Sequence, residues 1–102
     1  MRPRTELQQI LETTLGSRNV YFQPPENLKL KYPCIIYERV GDNKQAADNL
    51  AYLKYMRYKI TYIDLNPDSE MITKIPDAVA HCSYDGHMVV DNLNHDSFTA
   101  FF

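Results

Sequence analysis

The residues best equipped for chemistry gather late in the chain: His81, Cys82, Asp85, His87, Asp91, His95 and Asp96. Imidazole, thiolate and carboxylate are zinc ligands, and a hairpin would carry His87 back beside His81 and Cys82. Neighbouring strand residues point to opposite faces, however, so His81 and Cys82 do not readily share one ion. The spacing of a zinc motif is also missing, and the expectation is surface histidines beside turn carboxylates, with no metal. Asp64, Asp68 and Glu70 form a second acidic group that paired-carboxylate chemistry would use. Helix-start chemistry around Asn66-Pro67 explains them without catalysis. Ser17, Ser69, Ser83 and Ser97 lie in no GxSxG elbow, and GxGxxG, P-loop and HExxH patterns are missing. With three glycines in 102 residues, a phosphate-cradling loop is not expected. No catalytic set and no cofactor motif emerges, so the chain is expected not to be an enzyme.

Composition narrows the remaining classes. The net charge is −2, with Lys29 and Lys31 forming a short basic stretch flanked by Glu26 and Glu38. A protein that grips phosphate backbones needs a concentrated basic surface, which this balance does not supply. Eight tyrosines and four phenylalanines occur without tryptophan. Tyrosine joins an apolar ring to a polar tip and suits half-buried sheets and wet interfaces. A stacking platform for nucleic acid would use the same tyrosines beside Arg57 and Lys59, but core packing and subunit contact fit the acidic balance better. Cys34 and Cys82 sit in apolar, strand-like stretches and read as buried free thiols of a reducing compartment. No apolar run reaches the length of a signal segment or membrane span, so a cytoplasmic protein is expected before any assembly.

The elements that must position these residues follow from periodicity. The length suits a single domain over residues 1–102. Thr5-Glu6-Leu7-Gln8 has the form of a capping box, and Leu7, Ile10, Leu11 and Leu15 make a helical stripe over residues 5–15, stopped by Gly16. Val20-Tyr21-Phe22 is a short edge strand or an extended arm, bounded by Pro24-Pro25. Residues 33–40 and 51–65 read as two strands joined by the polar loop 41–50, a long antiparallel hairpin. On the second strand Tyr52, Lys54, Met56, Tyr58, Ile60 and Tyr62 share the expected core face. Leu53, Tyr55, Arg57, Lys59 and Thr61 share the solvent or partner face. A short helix begins near Ser69, with Met71, Ile72 and Ile75 apolar and Pro76 interrupting or ending it. Residues 80–84 and 88–90 are strand-like around a turn or bulge at Asp85-Gly86-His87. Residues 91–96 read as a polar turn built by Asn94, His95 and Asp96, a trio for which partner binding is the alternative, and residues 97–102 read as the last strand. The sum is αββαββ, an α+β two-layer sandwich: a mostly antiparallel sheet of about four strands with two helices on one face.

These residues also carry a resemblance. Tyr32-Pro33, Ala47-Asp48-Asn49, Tyr52, Arg57-Tyr58, Thr61, Ile63-Asp64 and Pro67-Asp68-Ser69 are followed by Leu93-Asn94-His95-Asp96 and Phe98-Thr99. In order and spacing they resemble the small tail-terminator, tail-completion and head–tail joining proteins of long-tailed bacteriophages, over residues 31–102. The helix after Ser69 departs from that pattern, its proline falling late. The resemblance implies a structural subunit of a hexameric ring that caps the tail tube, ends its growth and offers the head a docking surface. It implies the tail tube protein and a head–neck connector as partners, DNA passing through the lumen without specific binding, no membrane, and residence in the virion after assembly in the host cytoplasm. Another neck role, such as a head-completion or stopper protein, and a stand-alone binding module remain open. A mildly acidic subunit repeated around a pore would repel DNA. For contacts, Lys44, Asp48 and Asn49 of the 41–50 loop are the candidates, with Tyr55, Arg57 and Lys59 at the base of the hairpin. A plain solvated loop is the alternative for 41–50.

Overall fold

The computed structural model of the chain describes residues 3–40 and 55–102. In chain order the elements are α1 (Arg4–Leu15), β1 (Val20–Phe22), β2 (Cys34–Arg39), β3 (Arg57–Asp64), α2 (Met71–Ala78), β4 (Cys82–Val90) and β5 (Leu93–Phe101). The strands form one sheet in the order β1-β2-β3-β5-β4. The fold is α+β, but the sheet has five strands and is mixed, where about four, mostly antiparallel, were expected. β1 is the additional strand and runs parallel to β2, Val20 facing Ile35 and Phe22 facing Tyr37. Residues 23–33 form the crossover that such a parallel pair requires. The other neighbours are antiparallel.

Alternation decides which face is covered. Ile35 and Tyr37 of β2, Tyr58, Ile60 and Tyr62 of β3, and Phe98, Ala100 and Phe102 at the chain's end are buried on the same side. They pack with Leu7 and Leu11 of α1 and with Met71, Ile75 and Val79 at the second helix. Spacings of four residues hold each helical trio or pair on one stripe. The predicted core face of β3 is borne out over its described part; Tyr52 and Lys54 lie outside the described residues, as does the partner-face residue Leu53.

Local chemistry departs from expectation in three places. Pro3, not Thr5, occupies the N-cap of α1, and no side chain caps it. The Gln8 side chain is drawn instead to the sheet, donating to the Val20 carbonyl and accepting from the Tyr37 hydroxyl. The Arg4 guanidinium donates to the same hydroxyl and lies 4.3 Å from the Phe22 ring centre. Gly16 ends the helix in the left-handed region, φ 77°, as expected of a C-terminal glycine. α2 runs two residues beyond Pro76, because Ile75 and Val79 stay fully buried and the Val79 amide still donates to the Ile75 carbonyl. Finally, Asn94, His95 and Asp96 are not a turn. Asp91 and Asn92, both left-handed at φ 52° and 65°, complete the reversal in two residues, and β5 begins at Leu93. The expected bulge is present, as a register shift between Tyr84 and Gly86 in one continuous β4.

Leu11→Ala would empty space between α1 and the sheet, where Leu11 is fully buried. It is expected to cost about 2–5 kcal/mol, read as a lower urea midpoint at unchanged m-value.

Candidate functional site

The expected contact surface falls partly outside the described residues: Lys44, Asp48 and Asn49 lie there, with the whole loop 41–50. The described candidates sit on and beside β3. The Tyr55 ring lies 5.2 Å from the His81 ring. Arg57 opens β3 opposite Phe101, and its carbonyl accepts from the Val40 amide. Lys59 is exposed in the middle of the face away from the helices, between Glu38 of β2 and Thr99 of β5. The Thr99 hydroxyl donates to the Asp85 carboxylate, so a polar row of acid, base, hydroxyl and acid crosses four strands. Residues of the 23–33 crossover line a groove with Ile36 and Glu38 on the same face. This face is therefore open and polar around Lys59, closed over Cys34 and Ile63, which are buried, and partly roofed over the rest of β2. That arrangement suits the polar, solvent-accessible rim of a protein contact, not its apolar centre.

A second set of polar residues is buried on the helix side. Asp96 is 2 % exposed, and its Oδ1 accepts from the Tyr84 hydroxyl at 2.9 Å and lies 2.9 Å from His87 Nδ1. Partial desolvation, then the hydrogen bond and charge of Asp96, push the Tyr84 hydroxyl pKa up. Asn94 donates to the carbonyls of Asp64 and Leu65. The Tyr62 hydroxyl donates to Asp64, and Ser69 donates to Tyr62 while its oxygen accepts from the Met71 amide. Burial first, then the bond to Asp64, pushes the Tyr62 pKa up to about 12. Asn94 thus ties β5 to the end of β3, Asp96 ties β5 to β4, and Tyr62 with Ser69 ties β3 to the start of α2. Reading them as turn residues missed this role. The signal was present in the alternation of Asn94, Asp96, Phe98, Ala100 and Phe102, which a two-residue turn at Asp91-Asn92 would have completed.

The chemistry-bearing cluster of the sequence is divided. The His81 ring is tilted against Tyr55, His87 pairs with Asp96, and His95 Nδ1 lies against the Leu93 carbonyl. Among the described residues no three His, Cys, Asp or Glu side chains come together as a metal site. Both cysteines are free, Cys34 buried and Cys82 half-buried. Burial raises each thiol to about 11, with the Asp85 charge adding to Cys82, so both are protonated near neutrality and weakly nucleophilic. Asp68 and Glu70 precede α2: the Asp68 amide donates to Asn66, and Glu70 pairs with Lys74 at 3.2 Å in solvent. No described helix is long and apolar enough to cross a membrane. Comparison with family models, with curated proteins and with solved structures finds no match.

Two outcomes test the buried network. Asp96→Ala strands the Tyr84 hydroxyl and its neighbours and is expected to destabilise by about 1–3 kcal/mol in urea melts. Tyr62 ionises near 10 when unfolded and near 12 when folded, so its contribution is intact below pH 10 and is lost as pH rises through 12. Stability of the parent should accordingly fall more steeply between pH 10 and 12 than that of Tyr62→Phe, as read by urea melts across that range.

Proposed function

We propose that this chain is a structural subunit of a bacteriophage neck, forming a ring at the head-proximal end of the tail tube. The ring ends tube growth and presents the surface on which a filled head docks. One observation carries the reading beyond the resemblance in sequence. Its two separate stretches, Ile63-Asp64 with Pro67-Asp68-Ser69 and Leu93-Asn94-His95-Asp96, meet where Asn94 donates to the Asp64 carbonyl and where Ile63 faces His95 across the β3–β5 ladder. Motifs about 25 residues apart in the chain are thus parts of one folded unit, which is what a shared domain requires.

The surface supports the same reading. The exposed polar row around Lys59 and the half-open β2 side suit subunit and partner contacts rather than a buried reaction centre. The mild negative charge of each copy, repeated around a pore, would let DNA slide through without sticking. On this reading the tail tube protein and a head–neck connector are the partners, and the chain needs no cofactor and catalyses no reaction.

Light scattering of the purified protein across concentration, with and without assembled tail tubes, tests this. A hexamer, or a monomer that becomes a ring only on tube tips, is expected. A monomer at every concentration that ignores tubes would overturn the reading in favour of a stand-alone binding module.

A further inference from the structure

The two edges of the sheet are not equivalent. β1 is three residues long and is closed off by Gln23 in the left-handed region, φ 44°, followed by Pro24-Pro25. Proline donates no backbone hydrogen bond, so that edge is protected. β4, at the other edge, is nine residues long and contains neither lysine nor proline. Beyond its bulge, residues 86–90 run unbroken to the turn, and Met88, Val89 and Val90 are 59 %, 57 % and 43 % exposed. A two-residue turn makes its flanking pair, Val90 and Leu93, the hydrogen-bonded one. One residue back, Val89 therefore aims its N–H and C=O away from β5 and into solvent. This is a strand edge ready for another strand.

Charge and pattern name the strand. Residues 82–102 hold three acids, Asp85, Asp91 and Asp96, and no lysine or arginine. Pairing two β4 edges with each other would bring acid towards acid. At the opposite side of the sheet, between β1 and β2, the crossover contains Leu28-Lys29-Leu30-Lys31-Tyr32, alternating apolar and basic side chains. It belongs to no helix or strand, and Leu28 is 41 % exposed. The Leu28 amide donates to Pro25, but among the described residues the amides of 29–32 join no backbone hydrogen bond. Five residues with strand alternation, four of them with amides in no described backbone hydrogen bond, face five residues of edge strand on the next molecule.

We infer that residues 28–32 of one copy add as an extra strand along residues 86–90 of β4 in the next copy. Leu28 and Leu30 then lie on one face, beside Met88 and Val90, and Lys29 and Lys31 lie on the other, towards the exposed Asp91 of the turn. The donor segment lies over the β2 side of the sheet and the acceptor is its β4 edge, two different surfaces, so the contact is heterologous. Repeated, it propagates head to tail and closes where the rotation permits. The inference rests on the ring reading above and supplies its subunit contact.

Two full-length variants test it by light scattering and sedimentation. Lys29→Glu with Lys31→Glu spoils the added strand and leaves β4 intact. Val89→Pro removes one outward amide and leaves the β4–β5 ladder, as a shared thermal melt with the parent would verify. Each variant alone is expected to stay monomeric where the parent assembles. Mixed one to one, they can make a single contact and should stop at a heterodimer, its dissociation constant rising with salt. Reversing both exposed charges should weaken the parent contact about tenfold or more. Assembly of either variant alone into the parent's oligomer, or a mixture that stays monomeric, would overturn this contact and leave the ring reading standing. A parent that never assembles, alone or on tubes, would overturn both.

Discussion

Every buried position on β5 depends on a reversal completed in two residues. With Asp91 and Asn92 both left-handed, Leu93 starts the strand and the even-numbered residues from Asn94 to Phe102 turn toward the helices. Side chains alternate with a period of two, so one additional turn residue would send Phe98 and Ala100 to solvent and Thr99 and Phe101 to the core. The same constraint carries Asn94 and Asp96 inward, where each needs partners. Asn94 finds the carbonyls at the end of β3, and Asp96 finds the Tyr84 hydroxyl and the His87 ring. No described buried side-chain nitrogen or oxygen is left without a hydrogen bond. A buried polar residue in this protein is thus a fastening between elements.

The opposite end of the molecule is fastened by a comparable device. Gln8 and Arg4 of α1 converge on the Tyr37 hydroxyl of β2, and the Phe22 ring of β1 lies 5.0 Å from that of Tyr37. α1 is held over β1 and β2 by polar tips as well as by Leu7 and Leu11. The long crossover from β1 to β2 is left at the surface over β2, with Lys29 and Lys31 in solvent. This segment follows from one topological choice, the addition of β1 parallel to β2, which closes that side of the sheet with prolines. The β4 edge is open whichever strand lies beyond β2. On the proposed reading, an asymmetric sheet is a suitable brick for a ring, since each copy offers different surfaces to its two neighbours.

Much of this architecture was legible from residue spacing. The stripe of Leu7 and Leu11, the glycine stop at Gly16, the alternation of Tyr58, Ile60 and Tyr62, and the bulge at Asp85-Gly86 all express local periods or backbone preferences. Capping at Thr5 and a turn at residues 94–96 were also local inferences, and both gave way to partners distant in sequence. Gln8 is worth more against Tyr37 than against its own helix end, and Asn94 more against β3 than within a turn.

The sequence by itself determined both helices, the middle strands, the faces that α1 and β3 bury and the lack of a metal-ligand spacing, because these depend on neighbours within a turn or two of chain. Only the tertiary structure decided that β1 joins the sheet, that it does so in parallel, and that β4 is left at the edge. Strand order and the pairing of Asp96 with Tyr84 and His87 depend on which distant segments meet, and no local period encodes that meeting.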